Sequence, residues 1–132
     1  MKVAIDTNIL VRLFVIDDEK QHRQSLEILD QAENIIIPTT VFCETIWVLR
    51  RLYQQSNHDI YNKLSYFLTH PKLIYAQAEV EAGFAFMQEG GDFADGVNEY
   101  AGSQLDAESF ATFDQKAIKL FKKLGKNMYS HS

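Results

Sequence analysis

The sequence predicts an α/β fold: a three-layer α/β/α sandwich around a small, mostly parallel sheet. Three observations predict it. Short runs of β-branched and apolar residues alternate with longer helical patterns from one end of the chain to the other. The runs are brief and continuous, Ile35-Ile36-Ile37 above all, as in strands covered on both faces. At 132 residues the chain suits a single domain, residues 1–132, with one core.

Lys2-Val3-Ala4-Ile5-Asp6 reads as the first strand, and residues 8–16 as a helix. Asp17-Asp18-Glu19 supplies capping acids for a second helix reaching residue 32. The strand 35–37 is stopped by Pro38, and Thr39-Thr40 is expected to cap a strongly apolar helix over 41–53. A helix over 58–69 ends before Pro71, and 73–75 forms a third strand. Residues 78–88 are helical until Gly90-Gly91 interrupts; 93–105 are helical again, weakened by Gly96 and Gly102. Residues 109–113 read as a strand, Asp114 begins a lysine-rich helix ending at Gly125, and 127–129 reads as a last edge strand.

Composition narrows the function. Hydrophobic residues make up 46% and charged residues 23%, the balance of a globular protein. No apolar run approaches the roughly 20 residues of a membrane span, and charge at Lys2 and Asp6 argues against a secretory signal, so a cytoplasmic protein is expected. Cys43 is the only cysteine, which excludes an internal disulfide and cysteine-rich zinc sites. His22, His58, His70 and His131 show no zinc-hydrolase spacing. A formal charge of −5 disfavours holding nucleic acid by bulk electrostatics. The charge is unevenly placed. Lys116, Lys119, Lys122, Lys123 and Lys126 give residues 116–132 a formal +5, while residues 1–115 set eight cations against all 18 acids. A solvated face of the last helix explains the lysines, and a basic lip that steers a polyanion is the sharper alternative.

In a parallel sheet, ligands bind beyond the carboxyl ends of the strands. Asp6 and Asp114 each directly follow an apolar run, while Glu44 and Asp95 fall near the starts of helices, so the topology brings four acids toward one edge. Singly, each has a simpler role as a cap or a complement to a helix dipole. Glu44 resists that role, because Val41, Trp47 and Val48 flank it on an apolar face with no cation one turn away. Converging carboxylates repel by about 4 kcal/mol per pair at 4 Å and an effective dielectric of 20. A hard dication relieves this, and all-oxygen ligation suits Mg²⁺ or Mn²⁺.

The residues that carry these acids resemble the motifs of the PIN-domain family. Val3-Ala4-Ile5-Asp6-Thr7-Asn8-Ile9-Leu10 is similar to the family's opening motif, Pro38-Thr39-Thr40-Val41-Phe42-Cys43-Glu44 to its second acidic motif, Asp92-Phe93-Ala94-Asp95 to its D-F-A-D stretch, and Ala111-Thr112-Phe113-Asp114 to its T-F-D. Four motifs in order span the chain, and its small size resembles the VapC-type toxins of bacterial toxin–antitoxin modules. The resemblance implies a Mg²⁺- or Mn²⁺-dependent endoribonuclease in which Asp6, Glu44, Asp95 and Asp114 are the metal-site acids. It implies supporting roles for Thr7 and Asn8 at the Asp6 turn and for Thr112 beside Asp114. Where the family often has an alanine-rich helix, this chain reads Gly96-Val97-Asn98-Glu99-Tyr100, so Glu99 joins the acids or alters substrate access. Asp92 is expected to cap the helix rather than touch metal.

The resemblance further implies an RNA substrate, a homodimer, and a small antitoxin that covers the acidic cleft, with no role for a membrane. Arg12, Arg50, Arg51 and the late lysines are candidates for phosphate contact, and Trp47, Tyr53 and Tyr100 for core or dimer surface. A non-catalytic PIN-like protein-binding module is the alternative. A phosphate-transfer protein fits less well: Asp6-Thr7-Asn8 lacks the second acid of a D-x-D pair, and Asp114 stands where a receiver needs lysine.

Overall fold

The three apolar runs become three strands, each too short to fold without cover on its faces. In the computed structural model, which describes residues 1–131, β1 (Lys2–Ala4), β2 (Asn34–Ile37) and β3 (Leu73–Tyr75) form one sheet in the order β1-β2-β3. Both pairings are parallel, with Val3 opposite Ile35 and Ile36 opposite Ile74. The helices are α1 (Thr7–Phe14), α2 (Glu19–Gln31), α3 (Thr39–Arg51), α4 (Asn57–Phe67), α5 (Gln77–Gln88), α6 (Phe93–Gln104) and α7 (Gln115–Lys123). The mixed α/β class predicted from the alternation is the one found. No described helix is long and apolar enough to cross a membrane.

The chain gathers into two compact units, Met1–Ala76 and a second that opens at Gln77. The first is built on the sheet. Ile35 and Ile37 of the central strand are buried, as are Leu10 and Val11 of α1, Phe42, Ile46 and Leu49 of α3, and Ile60 and Leu64 of α4. Local chemistry sets the helix ends: Asp18 Oδ1 accepts from Gln21 N at 3.0 Å, and Ser56 Oγ accepts from Asp59 N at 3.1 Å. One expected cap is different. Thr39 and Thr40 lie inside the first turn of α3, and Pro38 holds the N-cap position with no side-chain hydrogen bond. Proline fixes the extended backbone there while its carbonyl accepts from Val41 N at 2.9 Å, so no threonine cap is required.

The end of α1 is fastened by a polar cluster. Arg12 Nη1 donates to Asp17 Oδ1 at 2.8 Å and to Tyr53 Oη at 3.3 Å, Arg12 Nε donates to Gln21 Oε1 at 2.9 Å, and Tyr53 Oη donates to Asp17 Oδ2 at 2.6 Å. Arg12, expected to reach for phosphate, is thus engaged within the fold. The Tyr53 hydroxyl, ahead of the Arg12 charge, holds the Asp17 carboxyl below its ordinary value of 3.8. A carboxyl whose pKa falls on folding adds stability above the unfolded value and loses it as pH drops through the folded value. Tyr53→Phe should therefore flatten the loss of stability between about pH 4 and the acid limit, as urea titrations at stepped pH would show.

In the second unit, α5, α6 and α7 carry the apolar contacts. Phe86 stacks on Phe121 with ring centroids 3.9 Å apart, Phe110 meets Phe121 edge-on at 5.4 Å, and Phe84 meets Phe93 at 5.3 Å. Two strand expectations fail here. Residues 109–113 and 127–129 form no strands but a single parallel bridge, Phe110 with Met128, closed by Phe110 N to Asn127 O at 2.9 Å and Tyr129 N to Phe110 O at 2.8 Å. The apolar pattern is real but serves packing: Phe110 and Met128 cover Phe121, while Phe113 is 87% exposed and leaves the run.

Candidate active site

The parallel pairing places the carboxyl ends of β1 and β2 at one edge of the sheet, with Ala4 opposite Ile36. Asp6 stands just past β1 as the N-cap of α1, and its Oδ1 accepts from Thr7 N at 2.7 Å. One oxygen is thereby fixed by the helix, and the exposed carboxylate keeps further lone pairs for another partner. Thr7 is 8% exposed and turns inward, its Oγ1 without a hydrogen-bond partner among the described residues, whereas Asn8 faces solvent.

Glu44 lies in the second turn of α3. The expectation that it emerges within an apolar surface is half met: it lines an open hollow of about 360 Å³ with Cys43, Trp47 and Val48, but it is exposed. The buried stripe of α3 runs through Val41, Phe42, Thr45, Ile46 and Leu49, a step around the helix from Glu44.

The topological argument for the other two acids does not hold. The sheet has three strands; α6 follows α5 across the Gly90-Gly91 turn, and α7 follows a loop, so neither helix begins after a strand. Asp95 and Asp114 instead share the second unit, where the charge of one acts on the other. Asp92 occupies the N-cap position of α6 with extended backbone, yet its side chain makes no capping hydrogen bond. Asp95 sits in the first turn of α6, half-buried, and its pKa is raised above 3.8 first by burial and then by the negative charges of Asp92 and Asp114. Asp114 caps α7, its Oδ1 accepting from Ala117 N at 3.1 Å, and Asp114 N donates to Thr112 Oγ1 at 3.2 Å. Thr112 thus orients the turn that presents Asp114.

The negative charges of Asp92 and Asp114 thus both act on Asp95. Glu99, one turn beyond Asp95, is 12% exposed and pairs with Lys126, Nζ to Oε1 at 3.5 Å. Lys126 was not expected beside an acid, because 27 positions separate the two and no local pattern links them; the only hint was Gly125, a helix stop that returns the chain.

No group of three or more His, Cys, Asp or Glu able to hold a metal ion occurs among the described residues. The donor chemistry nonetheless fits a hard ion. Mg²⁺ is commonly held through one or two carboxylates, with water and phosphate oxygens completing the octahedron. Asp95, desolvated and facing only like charge in its shift, gains from a nearby dication.

Residues 3–124 match the family model of the PIN domain. No curated protein matches the chain.

Proposed function

Because the chain belongs to the PIN-domain family, whose members are typically nucleases, we propose that it is a Mg²⁺- or Mn²⁺-dependent endoribonuclease and the toxin of a toxin–antitoxin pair. The observation that carries this reading is Asp95: a half-buried carboxylate whose ionisation is opposed first by burial and then by the negative charges of Asp92 and Asp114. Folding gains nothing from such a group at neutral pH, whereas cation chemistry does.

Asp95 and Asp114 are the acids assigned to the metal from the second unit, with Asp6 and Glu44 those of the first. A bound dication would lower the pKa of an attacking water and neutralise charge growing on the phosphate. The chain's own part is to hold the oxygens in place. Asp6 and Asp114 are each anchored through Oδ1 to a helix N-terminus, which fixes the rotamer and leaves the second oxygen as donor. Water then attacks phosphorus, the bond to the 3′ oxygen breaks, and the products carry 5′-phosphate and 3′-hydroxyl ends. Arg50, Arg51 and, on α7, Lys116, Lys119 and Lys122 are exposed cations placed to meet phosphate, whereas Lys123 pairs with Glu89 at 3.4 Å. The excess of acid over residues 1–115 suits a basic antitoxin. Trp47, 56% exposed on α3, suits burial in a homodimer. Such a protein acts in the cytoplasm.

Purified chain incubated with RNA tests the reading. Cleavage should require divalent metal, stop on chelation, return with Mg²⁺ or Mn²⁺, and fall away in Asp6→Asn and Glu44→Gln. No cleavage under any metal would favour the non-catalytic module, and cleavage unchanged in both variants would remove the assignment of these acids.

A further inference from the structure

The second unit contains a pocket of about 200 Å³ that the acids at Asp95 do not use, lined among others by Glu99, Ser103, Glu108, Phe110, Lys126 and Asn127. Its volume is below the roughly 300–1,000 Å³ of sites for drug-sized ligands, so it suits one small ring system. Its rim is fixed by the backbone. Gly125, at φ +79°, ends α7 in the left-handed conformation that favours glycine, and Lys126 N donates back to Phe121 O at 2.9 Å. That return sets Lys126 against Glu99. Asn127 Nδ2 donates to Glu108 O at 2.7 Å, joining the two sides of the opening.

The charges select the occupant. Two acids and one lysine make the pocket net negative, which turns away phosphate and favours a neutral group rich in donors. Glu99 is only 12% exposed, and its 3.5 Å separation from Lys126 is longer than the 2.7–2.9 Å of a tight charge-assisted hydrogen bond. A ligand that offers two donors to the carboxylate and an acceptor to the ammonium matches both charges of the pair. Among the RNA bases only guanine has that edge, with N1–H and the N2 amino group side by side and O6 next to them. Adenine turns a lone pair toward the carboxylate, and uracil offers one donor between two acceptors. Glu99 also lies one helical turn from Asp95, about 6 Å along the axis, so a base held there belongs to a nucleotide next to the reacting phosphate.

We propose that this pocket binds a single guanine base, with Glu99 accepting from N1–H and N2–H and Lys126 donating to O6, and so sets the cleavage preference of the enzyme. The inference rests on the ribonuclease reading for its role in cleavage but not for binding itself. The full chain, kept in chelator, should bind guanosine at least about tenfold more tightly than adenosine by NMR titration, with shifts centred on residues 99–110 and 125–127. Glu99→Gln, which preserves shape, should remove that preference; Lys126→Ala, at a side chain 46% exposed, should weaken guanosine severalfold and leave adenosine unchanged. Equal affinities for the two nucleosides, or no binding, would overturn the proposal. Metal-dependent cleavage that shows no preference for guanine and is the same in Glu99→Gln would also overturn it, while leaving the nuclease intact. Guanosine binding without any RNA cleavage would keep the pocket and remove the nuclease.

Discussion

Asp95→Asn should slow RNA cleavage by roughly 10²–10³-fold and, in chelator at pH 7, raise the melting temperature. The first effect follows from removing a charged oxygen donor from a site whose cation supplies several kcal/mol to the transition state, each 1.36 kcal/mol being tenfold. The second follows from the direction of the Asp95 shift. A carboxyl whose pKa is raised on folding binds its proton more tightly in the folded state, so stability falls as pH rises from its ordinary value of 3.8 through the raised one. Asparagine resembles the protonated acid and escapes that loss. The variant should therefore be ahead at pH 7, and the difference should shrink as pH falls through the raised value and vanish only well below 3.8, where wild type is protonated in both states. Adding Mg²⁺ should then raise the wild type and leave the variant unmoved, since only a ligand bound by the native state stabilises. A carboxylate present merely to complement the helix dipole makes the opposite prediction, a loss of about 0.3–1 kcal/mol on neutralisation at every pH where it is charged. Paired melting curves and kcat/KM on one RNA oligonucleotide distinguish the two.

The parallel sheet was legible because Ile35-Ile36-Ile37 is a short β-branched apolar run stopped by Pro38, although its cover is uneven: Ile35 and Ile37 are buried, whereas Ile36 is only partly so. The start of α2 was legible because a capping side chain, Asp18, marks it in the sequence. Residues 109–113 were not legible. Alternation of apolar and polar residues records which side chains are covered, and cover by one helix, through Phe110 on Phe121, writes the same pattern as cover by a sheet. The acids were singled out by their types and motifs, yet the geometry first invoked for Asp95 and Asp114, a shared sheet edge, is not the one observed. The charge of Asp114 acts on Asp95 across 19 positions of sequence, and no short-range signal encodes that. The same blindness hid Lys126 from Glu99. It also misjudged Glu44, since on a helix one position of rotation separates the buried stripe from the solvent face.

Gly96→Ala should destabilise the protein, by about 1–3 kcal/mol, although alanine is the better helix former. From sequence, Gly96 and Gly102 look alike, two residues that weaken α6 by roughly 1 kcal/mol each. The packing separates them. A Cβ built on Gly96 falls 2.7 Å from Phe86 Cβ, 2.8 Å from the Ala82 carbonyl oxygen and 3.1 Å from Gly83 Cα. These are well inside the 3.5–4.0 Å of favourable carbon contacts, and two of the three neighbours are backbone, which no rotamer change can withdraw. Relief requires α5 and α6 to move apart, which loosens Phe86 from Phe121 and shifts Asp95, the residue immediately before Gly96. At Gly102 the nearest atom to a new methyl is Ala107 Cβ at 3.9 Å, an ordinary contact. Gly102→Ala therefore gains helix propensity without strain and should stabilise by about 0.5–1 kcal/mol. The opposite signs, read as denaturant midpoints at constant slope, make the close approach of the two helices the deciding quantity. If both substitutions stabilised, α5 and α6 would not pack at the separation described. Activity should follow the same split, falling in Gly96→Ala beyond what its lost stability explains, because the displaced turn carries the half-buried acid on which the proposed chemistry depends.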